Sequence, residues 1–137
     1  MPTLIRMYEP QEPAWRQATL SAEPVRIGGC AGRWECDLSD NRLRWSPPIF
    51  ALFGLDPRTP VDRRGTVEMY DPESRKLMER LRTRAIEERG SFTMEAQIRR
   101  ADGVMRWMRL TADIVCRDGR ATHLYGVKQD ITPEMTG

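Results

Sequence analysis

The sequence predicts an α+β domain in which two strands come first, helices follow, and three antiparallel strands close the chain. Three observations carry this. Alternation of apolar and polar residues starts at Gly32, a capped amphipathic helix starts at Asp71, and alternation returns at Phe92 and runs to Ile131, broken only at Asp102-Gly103 and Asp118-Gly119.

Residues 1–24 read as an N-terminal extension, because Pro2, Pro10, Pro13 and Pro24 punctuate a stretch with few large apolar residues. Pro13 suits the first turn of a short helix carrying Trp15 and Ala18 on one side, a helix too short to stand alone. In the first strand Trp34, Cys36 and Leu38 alternate with Arg33, Glu35 and Asp37; after a Ser39-Asp40-Asn41 turn, Leu43 and Trp45 alternate with Arg42 and Arg44, which makes a hairpin. Pro47 and Pro48 stop it, and Ile49, Phe50, Leu52 and Phe53 fit one or two helical turns ending at Gly54. Asp56 to Gly65 reads as a loop or a second short helical piece.

The long helix has an aspartate cap at Asp71, Pro72 in its first turn and Glu73 beside the positive end of the dipole. Leu77, Met78, Leu81, Ala85 and Ile86 share one face, and Gly90 supplies the stop. Phe92, Met94, Ala96 and Ile98 then alternate with polar neighbours, Val104 to Cys116 forms a long two-faced strand, and Ala121 to Ile131 closes the sheet.

A chain of 137 residues is one domain with a single core. Its 22 basic and 20 acidic side chains leave a net charge of +2, too weak a field to argue for nucleic acid or an anionic membrane as partner. No run approaches the ~18 apolar residues of a membrane span, and Met1 to Tyr8 lacks the apolar core of a secretory signal, so a cytoplasmic location is expected. Cys30, Cys36 and Cys116 stand at no metal-ligand spacing and read as free thiols in a reducing compartment; no metal site is expected. His123, the single histidine, would have to meet one of these thiols in space to make a nucleophile, and no motif predicts that.

The words Gly32-Arg33-Trp34-Glu35-Cys36-Asp37-Leu38, Leu43-Arg44-Trp45-Ser46-Pro47 and Leu52-Phe53-Gly54-Leu55 are followed in order by Asp71-Pro72-Glu73-Ser74-Arg75, Arg100-Ala101-Asp102-Gly103, Arg106-Trp107, Gly126-Val127 and Asp130-Ile131-Thr132. In that order and spacing they resemble the PAS domain family, in the branch found in bacterial sensor kinases and cyclic-nucleotide signalling proteins. The resemblance covers Val25 to Thr132 and divides the chain into an extension at 1–24, the PAS domain at 25–132 and the start of a C-terminal linker helix at 133–137. It implies a five-stranded antiparallel sheet in strand order 2-1-5-4-3, with helices on one face around a small cavity. Where the family usually has a second tryptophan this chain has Cys36, which removes volume from the strand face shared with Trp34 and Leu38.

The resemblance also limits the chemistry. Haem-binding members offer a histidine on the long helix, and Asp71 to Arg89 contains none. Photoactive flavin members carry an Asn-Cys-Arg-Phe word at the start of that helix, and here the word is Asp-Pro-Glu-Ser-Arg. No cofactor is predicted; binding of an unknown small ligand or of a partner is the expectation, with a redox or light sensor holding a non-covalent flavin or haem as the alternative. The candidate cavity walls are Leu52, Phe53, Met69, Met78, Leu81, Met94, Met108, Leu110 and Tyr125, residues that serve equally as a plain core.

Met105, Trp107 and Val115 alternate away from that face, so the outer side of the sheet needs a cover. The resemblance implies a cover by the N-terminal helix, by a partner domain or by a second copy of the module; the Trp15 segment is the local candidate, and a homodimer is expected. At the end of the chain the resemblance makes Asp130 an ion-paired residue and Thr132 a helix cap, joining the sheet to a signalling helix. The expected function is a non-catalytic sensory and protein-interaction module of bacterial signal transduction, either part of a longer signalling protein or a stand-alone module that acts by binding a signalling partner.

Overall fold

The computed structural model describes residues 31–135. Strands β1 (Ala31–Asp37) and β2 (Arg42–Trp45) form the hairpin; α1 (Pro47–Phe53), α2 (Arg63–Val67) and α3 (Pro72–Glu88) follow; β3 (Phe92–Arg99), β4 (Met105–Arg117) and β5 (Arg120–Asp130) complete the sheet before a short α4 (Thr132–Met135). The strand order is β2-β1-β5-β4-β3 with every pairing antiparallel, as the resemblance implied. The first and last strands therefore lie side by side at the centre.

The helices are held by local chemistry that the sequence announces. Gly54 ends α1 at φ 72°, in the left-handed region that glycine enters without strain. Asp62 caps α2 by accepting from the Gly65 N–H at 2.7 Å, and Asp71 caps α3 by accepting from the Glu73 N–H at 3.1 Å. The start of α3 is tied to β3, because Asp71 N–H donates to the Gln97 carbonyl at 2.8 Å and Ser74 Oγ accepts from Gln97 N–H at 2.9 Å. Two details differ from expectation. The second helical piece covers only Arg63–Val67, capped by Asp62, while the Asp56 side chain closes a turn by accepting from the Arg58 N–H at 2.7 Å. The left-handed residue closing α3 is Arg89 and not Gly90; its Nη1 donates to the Gly119 carbonyl at 2.6 Å, which offsets part of the strain at φ 53°.

Strand alternation sorts the residues onto two faces. On the inner face the cross-strand rows run Trp45–Trp34–Gly126–Ala112–Phe92 and Gly32–Lys128–Leu110–Met94. Two glycines matter here. A Cβ at Gly32 would stand 2.6 Å from Ile49 Cγ1, so its absence lets α1 lie directly on β1. At Gly126 a Cβ would overlap the Thr111 carbonyl oxygen; the bare strand lets the Trp34 indole reach across and donate from Nε1 to that oxygen at 3.2 Å. Ile49, Phe53, Ile98, Met108, Ile114 and Leu124 are fully buried between sheet and helices.

Candidate functional site

A cavity opens on the inner face between the β1–β5 pair and α2–α3. Trp34, Cys36, Leu124, Lys128 and Leu110 form its sheet side, Arg63, Thr66, Val67, Met78 and Arg82 its helix side, and Leu43, Tyr70 and Phe92 its edges. Its volume, counted as space for the centre of a water molecule, is ≈ 40 Å³, room for about three waters. Cys36 stands where a larger side chain would close it.

The residue that gives the cavity its character is Lys128, only 6% exposed. Its ammonium lies 5.1 Å from the ring centre of Phe53, 5.2 Å from Trp45, 5.6 Å from Trp34 and 5.8 Å from Tyr70. Aromatic faces attract a cation, by roughly 2 kcal/mol when it is desolvated. Burying an ammonium costs several kcal/mol, and ring faces cannot replace three hydrogen-bond acceptors. The cost wins: burial lowers the Lys128 amine to about 7, with nearby Cys36 opposing the shift and Arg63 adding to it. Among the described residues Lys128 Nζ has no hydrogen bond and no carboxylate partner.

The other polar groups of the cavity differ. Arg63 pairs with Glu79 of α3, and Arg82 donates to Asn41 Oδ1 at 3.0 Å. Burial raises the Cys36 thiol, with Arg82 and Arg63 opposing, so it stays protonated at neutral pH. Burial also raises Tyr70 far above a free phenol. Among the described residues three basic side chains line the cavity and no carboxylate does.

Of the nine residues predicted as cavity walls, Met78 and Leu110 line it. Leu52, Met94 and Met108 are buried in the surrounding core, Leu81 packs half-buried against it, and Phe53 reaches the cavity only through its ring beside Lys128. Met69 borders a separate groove with Asp71, Arg99 and Met105. Tyr125 is on the other side of the sheet, paired with Glu35 and Asp113 on the outer face. The alternation of β5 sends Leu124, Gly126 and Lys128 inward, although hydropathy assigns Lys128 to solvent, and this places Tyr125 on the face opposite to the expected one. No signal in the single sequence marks Lys128 as buried.

On the outer face Met105 and Trp107 are half-buried and Val115 is 4% exposed; Trp15 lies outside the described residues. His123 belongs here too, its Nε2 3.6 Å from Asp37 Oδ2. Cys36 faces the opposite way, so the sheet separates the chain's histidine from the cavity thiol, and a Cys36–His123 nucleophile is excluded. No described helix is long and apolar enough to cross a membrane, and no cluster of His, Cys, Asp or Glu among the described residues could hold a metal.

At the junction, Asp130 Oδ1 accepts from Thr132 N–H at 2.9 Å and Asp130 Oδ2 is 3.9 Å from Arg106 Nη1. Thr132 Oγ1 accepts from the Trp107 N–H at 2.9 Å, and Ile131 N–H donates to the Trp107 carbonyl at 2.9 Å. The threonine therefore extends the sheet ladder with its side chain, where the resemblance made it a helix cap. The start of α4 is satisfied by the Ile131 carbonyl, which accepts from Glu134 and Met135.

A haem or flavin does not fit the cavity. A tricyclic ring needs far more space than three waters, four aromatic side chains already occupy the position beside Lys128, and no histidine lines the wall.

A family model described as the PAS fold matches residues 42–128. No curated protein matches the sequence. Among solved structures, the N-terminal domain of a diguanylate cyclase with PAS/PAC sensor from Marinobacter aquaeolei is similar at 20% identity and TM-score 0.71, over 77% of this chain and 98% of that one. A sensory box histidine kinase/response regulator from Burkholderia thailandensis gives 20% identity and TM-score 0.68 over 77% and 80% of the two chains. A domain of a putative light and redox sensing histidine kinase from Haloarcula marismortui gives 18% and 0.64 over 86% and 97%. At these identities the structures speak for the fold, and they agree with the family model and with the observed strand order: the chain belongs to the PAS-fold family.

Proposed function

We infer that this PAS domain is a non-catalytic sensory module of bacterial-type signal transduction, with the inner cavity as its input and the junction between β5 and α4 as its output. The observation that supports this reading is the placement of both on one strand: Lys128 reaches into the cavity, and Asp130 and Thr132, two and four residues on, carry the hydrogen bonds that fix where the chain leaves the sheet. A change in the packing around Lys128 shifts β5 against β4, and the Trp107–Thr132 contacts are the first to register it. Self-association through Met105 and Trp107 belongs to the same reading, since Trp107 is also the residue that holds Thr132.

The test needs no ligand. Met78→Ala enlarges the cavity without touching the junction. Amide resonances of Lys128 to Thr132 should shift, and exchange of the Ile131 amide should quicken. Shifts confined to the neighbours of Met78 would refute the coupling.

A further inference from the structure

We propose that the cavity recognises a small organic monocarboxylate, with the Lys128 ammonium as the charge partner and the Tyr70 hydroxyl as a second donor. This rests on the reading of the cavity as the input site and names the chemistry that it takes. The argument begins with the buried donors. Lys128 and Tyr70 are 6% and 5% exposed, both line the cavity, and neither has a hydrogen bond among the described residues. A protein does not bury an ammonium and a phenol beside one space unless an acceptor completes them there. Among the described residues no side-chain carboxylate lines that space, and the other charged groups on its wall are the guanidiniums of Arg63 and Arg82. An acceptor that enters the cavity completes both donors, and beside three basic side chains an anion is favoured over a neutral group.

Size and polarity narrow the class. With ≈ 40 Å³ for water-sized centres, the space suits an acid of acetate to butyrate length. Phosphate or sulfate would bring four oxygens and a double charge to a wall where Arg63 is already paired with Glu79, Arg82 already donates to Asn41, and Trp34, Met78, Phe92 and Leu110 offer those oxygens no donor. A carboxylate needs two or three donors at one end and an apolar surface at the other, which is what Lys128 and Tyr70 on one side and Met78 and Leu110 on the other supply. The groups facing Lys128 are Cys36 from β1, Arg63 from α2, Tyr70 from the α2–α3 link and Arg82 from α3; α1 and β4 present only apolar side chains there. None of these is acidic at neutral pH, so the charge of the amine is left for the ligand, and affinity falls about tenfold per pH unit once the amine loses its proton.

The experiment is a titration of the whole chain with propionate and with its neutral isostere propionamide, followed by calorimetry and by the Trp34 indole N–H resonance. Propionate should bind saturably at pH 7, with propionamide at least tenfold weaker, and its affinity should drop on going to pH 9. Lys128→Met should abolish the preference for the anion. Equal binding of the two probes, undiminished propionate binding by Lys128→Met, or no binding of propionate at all would each overturn the proposal. The wild-type pH series decides the matter without any variant. Equal binding of both probes that still moves the Asp130–Thr132 resonances would leave the cavity-to-junction reading intact and remove only the carboxylate, whereas selective propionate binding that leaves the junction unmoved would do the reverse.

Discussion

On the β3–β4 half of the inner sheet face, Met94, Ala96, Ile98 and Met108 fill the space beneath the helices, and none is more than 6% exposed. On the β1–β5 half the same pleat carries Gly32, Cys36, Gly126 and Lys128, with aromatic rings over them and a cavity left between. Both halves belong to one sheet, with one twist and one register. The first is specified by volume, so each side chain contributes by being the right size. The second is specified by omission: small residues leave room, and a cation occupies it at a cost. A region that gives up packing and buries a charge is where ligand binding is to be sought.

The contrast can be broken most severely in the packed half. Ile98→Ala should cost about 2–5 kcal/mol, because a fully buried side chain is removed where nothing can move in. Urea unfolding followed by tryptophan fluorescence measures it, and a loss below about 1 kcal/mol would show that this half is not tightly packed.

In the cavity half the largest effect has the opposite sign. Lys128→Met should stabilise the fold at pH 7 by about 1–4 kcal/mol, since a buried charge is replaced by an apolar chain of similar length. The pH dependence follows from linkage. The amine titrates at about 7 in the folded state against an ordinary value of 10.5, so between those values the unfolded chain holds the extra proton and stability rises with pH. The gain from pH 7 to pH 9 should be about 2 kcal/mol in the wild type and absent in Lys128→Met. Cys36 and Tyr70, both raised by burial, act in the other direction once pH passes their ordinary values of 9.0 and 10.0, which makes 7 to 9 the clean window. Equal pH profiles for the two proteins would contradict the burial of a titrating amine.

Legibility divides along the same line. Binary alternation revealed Phe92, Met94, Ala96 and Ile98 as one face because each is apolar, and the caps at Asp71 and Gly54 were readable because their chemistry is local. The cavity was not readable in this way. Its small residues carry no hydropathy signal, Lys128 carries the wrong one, and Tyr125 and Val127, which look like core, belong to the outer face. Arg63 and Arg82 reach the site only through the packing of α2 and α3, which no local pattern encodes. Cys36 was the one visible hint, as a small residue where the resemblance leads one to expect an indole.

Smaller effects are expected at the junction. Thr132→Val removes the hydroxyl that accepts from Trp107 N–H and should cost about 1 kcal/mol, with faster amide exchange confined to Trp107, Ile131 and α4. Asp130→Ala should behave alike, through the Thr132 N–H and the long Arg106 contact. Global unfolding by either would make these residues parts of the core and not of an output. Smallest in stability is Trp107→Ser, on the outer face; light scattering should show it lowering the mass from dimer to monomer while the melting temperature changes little, and an unchanged mass would remove Trp107 from the interface.

The sharpest measurement is an NMR titration of the Lys128 side chain, read at 13Cε and assigned by the Lys128→Met variant, in a chain with only one other lysine. A midpoint near 7 is expected, moving upward when propionate is present because the anion favours the charged amine. A midpoint at the ordinary lysine value of 10.5, unmoved by propionate, would mean that Lys128 is solvated and that the β1–β5 half of the sheet holds no binding site.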